Sequence, residues 1–286
     1  MERTSRTAAQ VALFRALESA RREDRLFVDP YAERFLPPGY RIVARAAHLR
    51  PVGRWLENYI DGRWSGGPRG SAVVRTRLID DWVIAALSDG AGQLLLLGAG
   101  FDSRAYRLPG LAGVDVFEVD HPVTQATKER LLDAEQRRKV RLVPVDLNGG
   151  DLDAALIGAG FDRTVQTVVI WEGVTNYLTA DAVDATLRYL AEATPATSQV
   201  VFTYVDKSAL DGTATFDGLD AWRESVTAGG EPWTFGFHPT ELAAYLAERG
   251  LRLIEDVSTK DAAARYQRHE PTAAFYRIAR AEVLPT

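Results

Sequence analysis

The chain contains no cysteine, so disulfides, thiolate metal sites and cysteine nucleophiles are all excluded. Histidine is scarce, at four residues, which leaves few candidates for general-base chemistry. Runs of about 18 apolar residues, the length a membrane-crossing helix requires, are absent. The opening stretch from Met1 to Gln10 is polar and lacks the apolar core of a signal peptide. A cytoplasmic location with no membrane partner is therefore expected. A basic excess is also missing: the formal net charge is −5 and the pI is near 5.5. That gives no field for a nucleic-acid backbone, and the expected partner is a small molecule rather than DNA or RNA. Repeats, low-complexity blocks and clean linkers are lacking too. What remains is 286 residues, 46% hydrophobic and 26% charged, which reads as one α/β domain with additions over 1–286.

The most informative stretch is Leu94-Leu95-Leu96-Leu97-Gly98-Ala99-Gly100. Four leucines without alternation fit a parallel strand covered on both faces, and the glycines let the backbone turn sharply and approach a ligand. The next strand, Val114 to Asp120, ends in a carboxylate 22 residues beyond Gly98, the position from which an acid can accept ribose hydroxyls. The third glycine of a dinucleotide fingerprint is replaced by Ser103. Asp102 stands at the start of the following helix, where it complements the dipole and repels a pyrophosphate. Nicotinamides and flavins carry a pyrophosphate; S-adenosylmethionine carries a sulfonium and no phosphate. The local charge leans towards S-adenosylmethionine.

Taken in order, Ser5 to Ala20 has apolar positions at helical spacing. Asp29-Pro30-Tyr31 reads as a cap opening a short helix through Phe35. A further helix is expected over 40–61, then a glycine-rich turn over 62–70. Residues 1–70 form a helical cap, and a helix from Val73 to Leu87 leads into the core over 71–286. Strands are expected at 94–97, 114–120, 140–145, 165–171, 199–205, 251–257 and 273–280. Helices are expected at 122–138, whose charges suggest a solvated face, at 180–193 and at 239–249. The stretch 206–238 interrupts the alternation with one helix near 219–227 and reads as an insertion beside a substrate site.

These pieces together resemble the class I S-adenosylmethionine-dependent methyltransferases of the leucine carboxyl methyltransferase family. More narrowly, they resemble its actinobacterial branch, which includes polyketide carboxyl O-methyltransferases. The resemblance rests on Arg75 to Asp81, Leu97 to Leu108, Phe117 to Pro122, Val145-Asp146-Leu147 and Glu172 to Leu178, and on the opening Ala16 to Ser19 with Asp29 to Ala32. It implies a Rossmann-like, doubly wound, seven-stranded and mostly parallel sheet with one antiparallel strand. It also implies cofactor roles. Arg75 would hold the methionine carboxylate, a pairing suited to a bidentate donor. Gly98, Ala99 and Gly100 would pass close to the amino-acid end, Asp120 would take the ribose hydroxyls and His121 would lie near the adenosine. Asp146 would accept from the adenine amino group, Leu147 would offer a backbone donor and an apolar contact, and Glu172 would face the cofactor ammonium. Asp102 and Arg104 are expected to hold the loop as an internal ion pair.

Methyl transfer from a sulfonium asks the enzyme mainly to align the acceptor and exclude water. A carboxylate acceptor needs no base, whereas a phenol or alcohol does, and no essential base and no metal site are expected. Acceptor-site candidates are Asn176, where relatives more often carry an apolar residue, Tyr204, and His238 at the end of the insertion. The aromatics around the insertion, Phe216, Trp222, Trp233, Phe235 and Phe237, either line a pocket for a flat acceptor or anchor the insertion to the core. The activity expected first is O-methylation of a carboxylate or hydroxyl on a small secondary metabolite. Carbon or nitrogen methylation, an NAD-dependent oxidoreductase and a degenerate fold serving as a binding subunit stay open, as does a homo-oligomer.

Overall fold

The computed structural model describes residues 6–63 and 66–285. Four helices open the chain: α1 (Arg6–Ala20), α2 (Pro38–Ala46), α3 (Arg50–Arg63) and α4 (Pro68–Ser88), with a 3-10 turn at Ala32–Phe35. The strands are β1 (Gln93–Leu97), β2 (Asp115–Asp120), β3 (Arg141–Pro144), β4 (Thr167–Trp171), β5 (Gln199–Val205), β6 (Leu251–Ser258) and β7 (Tyr276–Val283). Between them lie α5 (Arg104–Arg107), α6 (Pro122–Leu131), α7 (Ala134–Arg138), α8 (Leu152–Gly158), α9 (Ala180–Ala193), α10 (Lys207–Asp211), α11 (Leu219–Ala228), α12 (Leu242–Ala247) and α13 (Thr259–Arg265). The sheet order is β3-β2-β1-β4-β5-β7-β6, and β7 runs antiparallel to both of its neighbours.

The winding reverses between β1 and β4. Their carboxyl ends diverge into loops that leave in opposite directions, and the crevice between them is where ligands of such sheets sit. Successive leucines of β1 serve opposite faces: Leu94 and Leu96 pack with α1 and α4, while Leu95 and Leu97 pack with Val183 and Leu187 of α9. Both faces are covered, which is why the strand shows no polar alternation.

Several boundaries differ from the sequence reading. Ser5 and residues 64 and 65 lie outside the described residues. The helix expected over 40–61 is two, because Gly53 of α3 packs against the end of α2, where a Cβ would stand 2.5 Å from the Ala47 carbonyl oxygen. The glycine-rich turn is shorter than expected, since α4 begins at Pro68 behind Gly67 at φ +66°, a left-handed residue followed by proline in the first turn. The helix expected over 122–138 breaks at Leu132, and Asp133 with Gln136 forms a capping box for α7.

Its solvated face is corrected at Lys128, which is 1% exposed and pairs with Glu118 of β2 at 2.7 Å. The last strand starts at Tyr276 rather than Ala273. The Ala273 amide donates instead to Ser71 Oγ at 2.9 Å, and the Phe275 carbonyl accepts from Asp206. The short helices α8 and α13 fall outside the expectations. Each has seven residues, too few for a periodic signal, and each is fixed by a side-chain cap, Asp151 and Ser258 respectively.

Candidate active site

A cavity of about 530 Å³ opens at the carboxyl ends of β1, β2 and β4, a size normal for a small-molecule site. Its floor is the glycine loop after β1. Its roof is α1 on one side and residues 222–234 of the insertion on the other. The insertion is pinned at its base, where Asp206 bridges Phe237 and the Lys207 amide donates to the Phe237 carbonyl at 2.9 Å. Helix α1 therefore covers the cavity of its own chain.

In the floor, Gly98 and Gly100 adopt φ +64° and +45°, a region costly for any residue with a Cβ. A Cβ on Gly98 would also collide with the Val174 side chain. Gly98→Ala is accordingly expected to lower stability by about 2 kcal/mol or more, measured by denaturant unfolding; a loss below about 0.5 kcal/mol would show that the loop relaxes freely. Ser103, which replaces the third glycine, donates to Asp29 at 2.6 Å. Asp29 also accepts from the amides of Tyr31 and Ala32 at 3.0 Å and pairs with Arg15 of α1 at 3.1 Å. One buried carboxylate thus caps the 3-10 turn and ties the roof to the floor.

Asp120 closes β2 beside this loop. It accepts from the Gly100 amide, and from the His121 amide at 2.6 Å. Burial raises its carboxyl above the usual range, and the two amides only partly oppose this. His121 caps α6, accepting weakly from the Val123 amide at 3.4 Å. Asp146 accepts from the Asn148 amide at 2.9 Å, an Asx turn that presents it and Leu147 to the cavity.

The third group is an ion-pair network under the floor. Arg75 of α4 donates to Glu172 at 2.6 Å, and Arg104 of α5 donates to the other Glu172 oxygen at 2.6 Å and to Asp80 at 2.7 Å. Arg104 also pairs with Asp102, as expected for that loop, and Arg107 pairs with Asp80 at 2.6 Å. Burial opposes ionisation of Glu172, but the Arg104 and Arg75 guanidiniums outweigh it and hold its carboxyl below the usual range. Asp102 is likewise held down to about 2, burial being offset chiefly by Arg104. An adjacent guanidinium and carboxylate at the cavity wall offer complementary partners to an amino-acid zwitterion.

The structure thus brings Arg75, Gly98, Ala99, Gly100, Asp120, His121, Asp146, Leu147 and Glu172 around one cavity. The three acceptor candidates are not brought there, and their expected placement is corrected. Tyr204 is fully buried, and its hydroxyl donates to Asp256 at 2.8 Å and accepts from Arg277 at 3.0 Å. Asn176 is buried, and its main-chain carbonyl accepts from the Thr234 amide at 2.8 Å. His238 faces Asp211 at 3.8 Å, away from the cavity.

The insertion aromatics divide between the two expected uses. Trp222 and Trp233 line the cavity, while Phe235 and Phe237 pack on each other at 4.8 Å and Phe216 packs on Phe275 at 5.8 Å. Thr7, Tyr177, Glu231 and Tyr276 also line the cavity and carry no signal of their own in the sequence. Tyr177 lies inside the matched run Glu172 to Leu178. The other three lie far apart in the chain and carry no joint pattern.

Comparison with known proteins follows this geometry. The family model described as leucine carboxyl methyltransferase matches residues 8–191. A Mycobacterium sp. (strain JLS) relative named "Putative S-adenosyl-L-methionine-dependent methyltransferase" is 34% identical over 270 residues, covering 86% of this chain and 83% of its own. A Streptomyces coelicolor relative of the same description is 34% identical over 264 residues, covering 88% and 89%. A solved structure of a "putative methyltransferase" from Thermobifida fusca shares the fold with a TM-score of 0.59 and 16% identity, covering 96% and 94%. The chain belongs to the leucine carboxyl methyltransferase family of S-adenosylmethionine-dependent methyltransferases.

Proposed function

We propose that the chain, acting as one methyltransferase domain in the cytoplasm, methylates a hydroxyl or carboxylate oxygen of a small secondary metabolite. The observation that carries this reading is a single cavity with two unlike halves. One half is polar and lies over the tips of β1, β2 and β4, and the other is aromatic and lies under α1 and the insertion. The polar half fits S-adenosylmethionine. Asp120 would accept the ribose hydroxyls, and Asp146 and Leu147 would hold the adenine. The glycine backbone would pass the amino-acid end, and Arg75 with Glu172 would meet its carboxylate and ammonium. Asp102 beside the loop disfavours a pyrophosphate, which weighs against NAD. When bound, the cofactor supplies an electrophilic methyl group, so the protein's share is to orient the acceptor and exclude water. The roof over the cavity supports that role.

Incubating the protein with S-adenosylmethionine and a panel of aromatic hydroxyl and carboxylic compounds is expected to yield S-adenosylhomocysteine and an oxygen-methylated product in equal amounts, read by mass spectrometry. A product methylated on carbon or nitrogen would overturn the oxygen assignment and keep the cofactor assignment. Turnover with no panel member would remove both acceptor classes.

A further inference from the structure

Five carboxylates face the cavity, Asp102, Asp120, Asp146, Glu172 and Glu231, against two guanidiniums, Arg15 and Arg75. Arg15 pairs with Asp29 at 3.1 Å, and Arg75 gives its Nε to Glu172 at 2.6 Å, leaving its terminal nitrogens to the cofactor carboxylate in the loaded chain. Four of the carboxylates belong to the cofactor half or its support. Glu231 is the carboxylate set among the aromatic residues of the insertion, and the nearest cation to that half is Arg75, whose guanidinium lies 5.1 Å over the Tyr276 ring. Its Oε2 accepts from the Thr7 amide at 3.2 Å and from the Thr7 hydroxyl, and no donor among the described residues reaches Oε1.

The walls beside it are flat. Trp222 stacks on Tyr276 with centroids 5.4 Å apart and planes at 14°, and Trp233 meets Trp222 edge-on at 5.7 Å. Tyr177 enters as a neutral phenol, since burial pushes it up to about 12. These rings close on one another with no gap for a further ring between them, so an aromatic acceptor would lie along the wall they form. With the cofactor carboxylate on Arg75, an acceptor carboxylate there would lie beside Glu231 with no second cation to compensate, which disfavours it. A hydroxyl would instead donate a charge-assisted hydrogen bond to Oε1, and that carboxylate would take up the proton released when the oxygen is methylated.

We propose that Glu231 determines acceptor specificity and that it selects a flat aromatic acceptor bearing a neutral hydroxyl over one bearing a carboxylate. The inference rests on the methyltransferase reading above and narrows its acceptor class. A carboxylic acceptor is the alternative it excludes.

The test is calorimetric titration of the full chain, saturated with S-adenosylhomocysteine, with 2-naphthol and with 2-naphthoate near neutral pH. These share a ring and differ in the group that meets Glu231. Naphthol is expected to bind at least about tenfold more tightly. Glu231→Gln, which keeps the shape and removes the charge, is expected to narrow the preference to within about threefold. Thr7→Ala removes the hydroxyl donor but leaves the carboxylate, and is expected to keep the preference.

Equal or tighter naphthoate binding overturns the proposal, as does no naphthol binding by about 1 mM. An unchanged preference in Glu231→Gln, or its loss in Thr7→Ala, overturns it too. The wild-type preference stands or falls without any variant, so a misfolded Glu231→Gln does not shelter it. Failure to bind S-adenosylhomocysteine would overturn the methyltransferase reading itself, whereas a chain that binds it and prefers naphthoate fails only this inference.

Discussion

Arg104→Met is expected to cost about 3–5 kcal/mol of folding stability, a fall in Tm of about 6 °C or more. Arg104 is 1% exposed and holds Asp80, Asp102 and Glu172 together. Methionine roughly matches its bulk but leaves Asp102 without a guanidinium and Asp80 and Glu172 with one each, Arg107 and Arg75, and the cost comes from this lost charge compensation rather than from a cavity. Two consequences separate these causes. First, adding Asp102→Asn to Arg104→Met should recover part of the loss, since Asp102 has no other guanidinium, which would not happen if packing were responsible.

Second, the pH dependence has a definite sign. In the wild type Asp102 and Glu172 are held below their ordinary range, so their stabilisation is present above the unfolded-state pKa and is lost as pH falls towards the folded values. Without Arg104 they are pushed up instead and can neutralise by taking a proton. The deficit of the variant should therefore be larger at about pH 7.5 than at about pH 5. Thermal unfolding at both pH values checks this, and a loss under about 1 kcal/mol at neutral pH would contradict it.

Asp120→Ala is expected to weaken S-adenosylhomocysteine binding by about a hundredfold or more, since hydrogen bonds to a charged acceptor are worth about 1.5–3 kcal/mol each and a ribose offers two hydroxyls. The Gly100 and His121 amides also lose their acceptor, so the loop that passes the cofactor loses its brace. Burial raises the Asp120 carboxyl, and the ionised form is the one that accepts. Wild-type affinity should be full at neutral pH and decline as pH falls through that raised range, earlier than an exposed aspartate would allow. Calorimetry across pH measures both. Binding by Asp120→Ala within about threefold of wild type would remove this residue from the ribose site.

How far the sequence carried the account depends on whether a signal was local. The β1 leucines, the glycine loop and the acid at the end of β2 are contiguous or nearly so, and they reach one cavity wall as expected. Helix α9 and strand β5 fall on the residues anticipated, because each is long and bounded by turn residues. Lys128 was misread because charge along a helix usually marks solvent, and nothing local reveals that Glu118 lies across from it.

The aromatic half of the cavity was legible only in Trp222 and Trp233, the insertion aromatics that line it. Thr7, Tyr177 and Tyr276 join them there from segments that the chain keeps far apart and only the fold unites. Tyr204 misled because an aromatic near a strand end fits a pocket and a core equally well. The pairing of its hydroxyl with Asp256 and Arg277 is a tertiary fact.

The central claim is that the cavity holds S-adenosylmethionine. Its most direct test is calorimetric titration of the purified wild-type chain with S-adenosylhomocysteine, run beside NAD. The account predicts micromolar or tighter binding of the first, around −8 kcal/mol, and no heat from the second. Absence of binding by S-adenosylhomocysteine, or comparable binding by NAD, would contradict it.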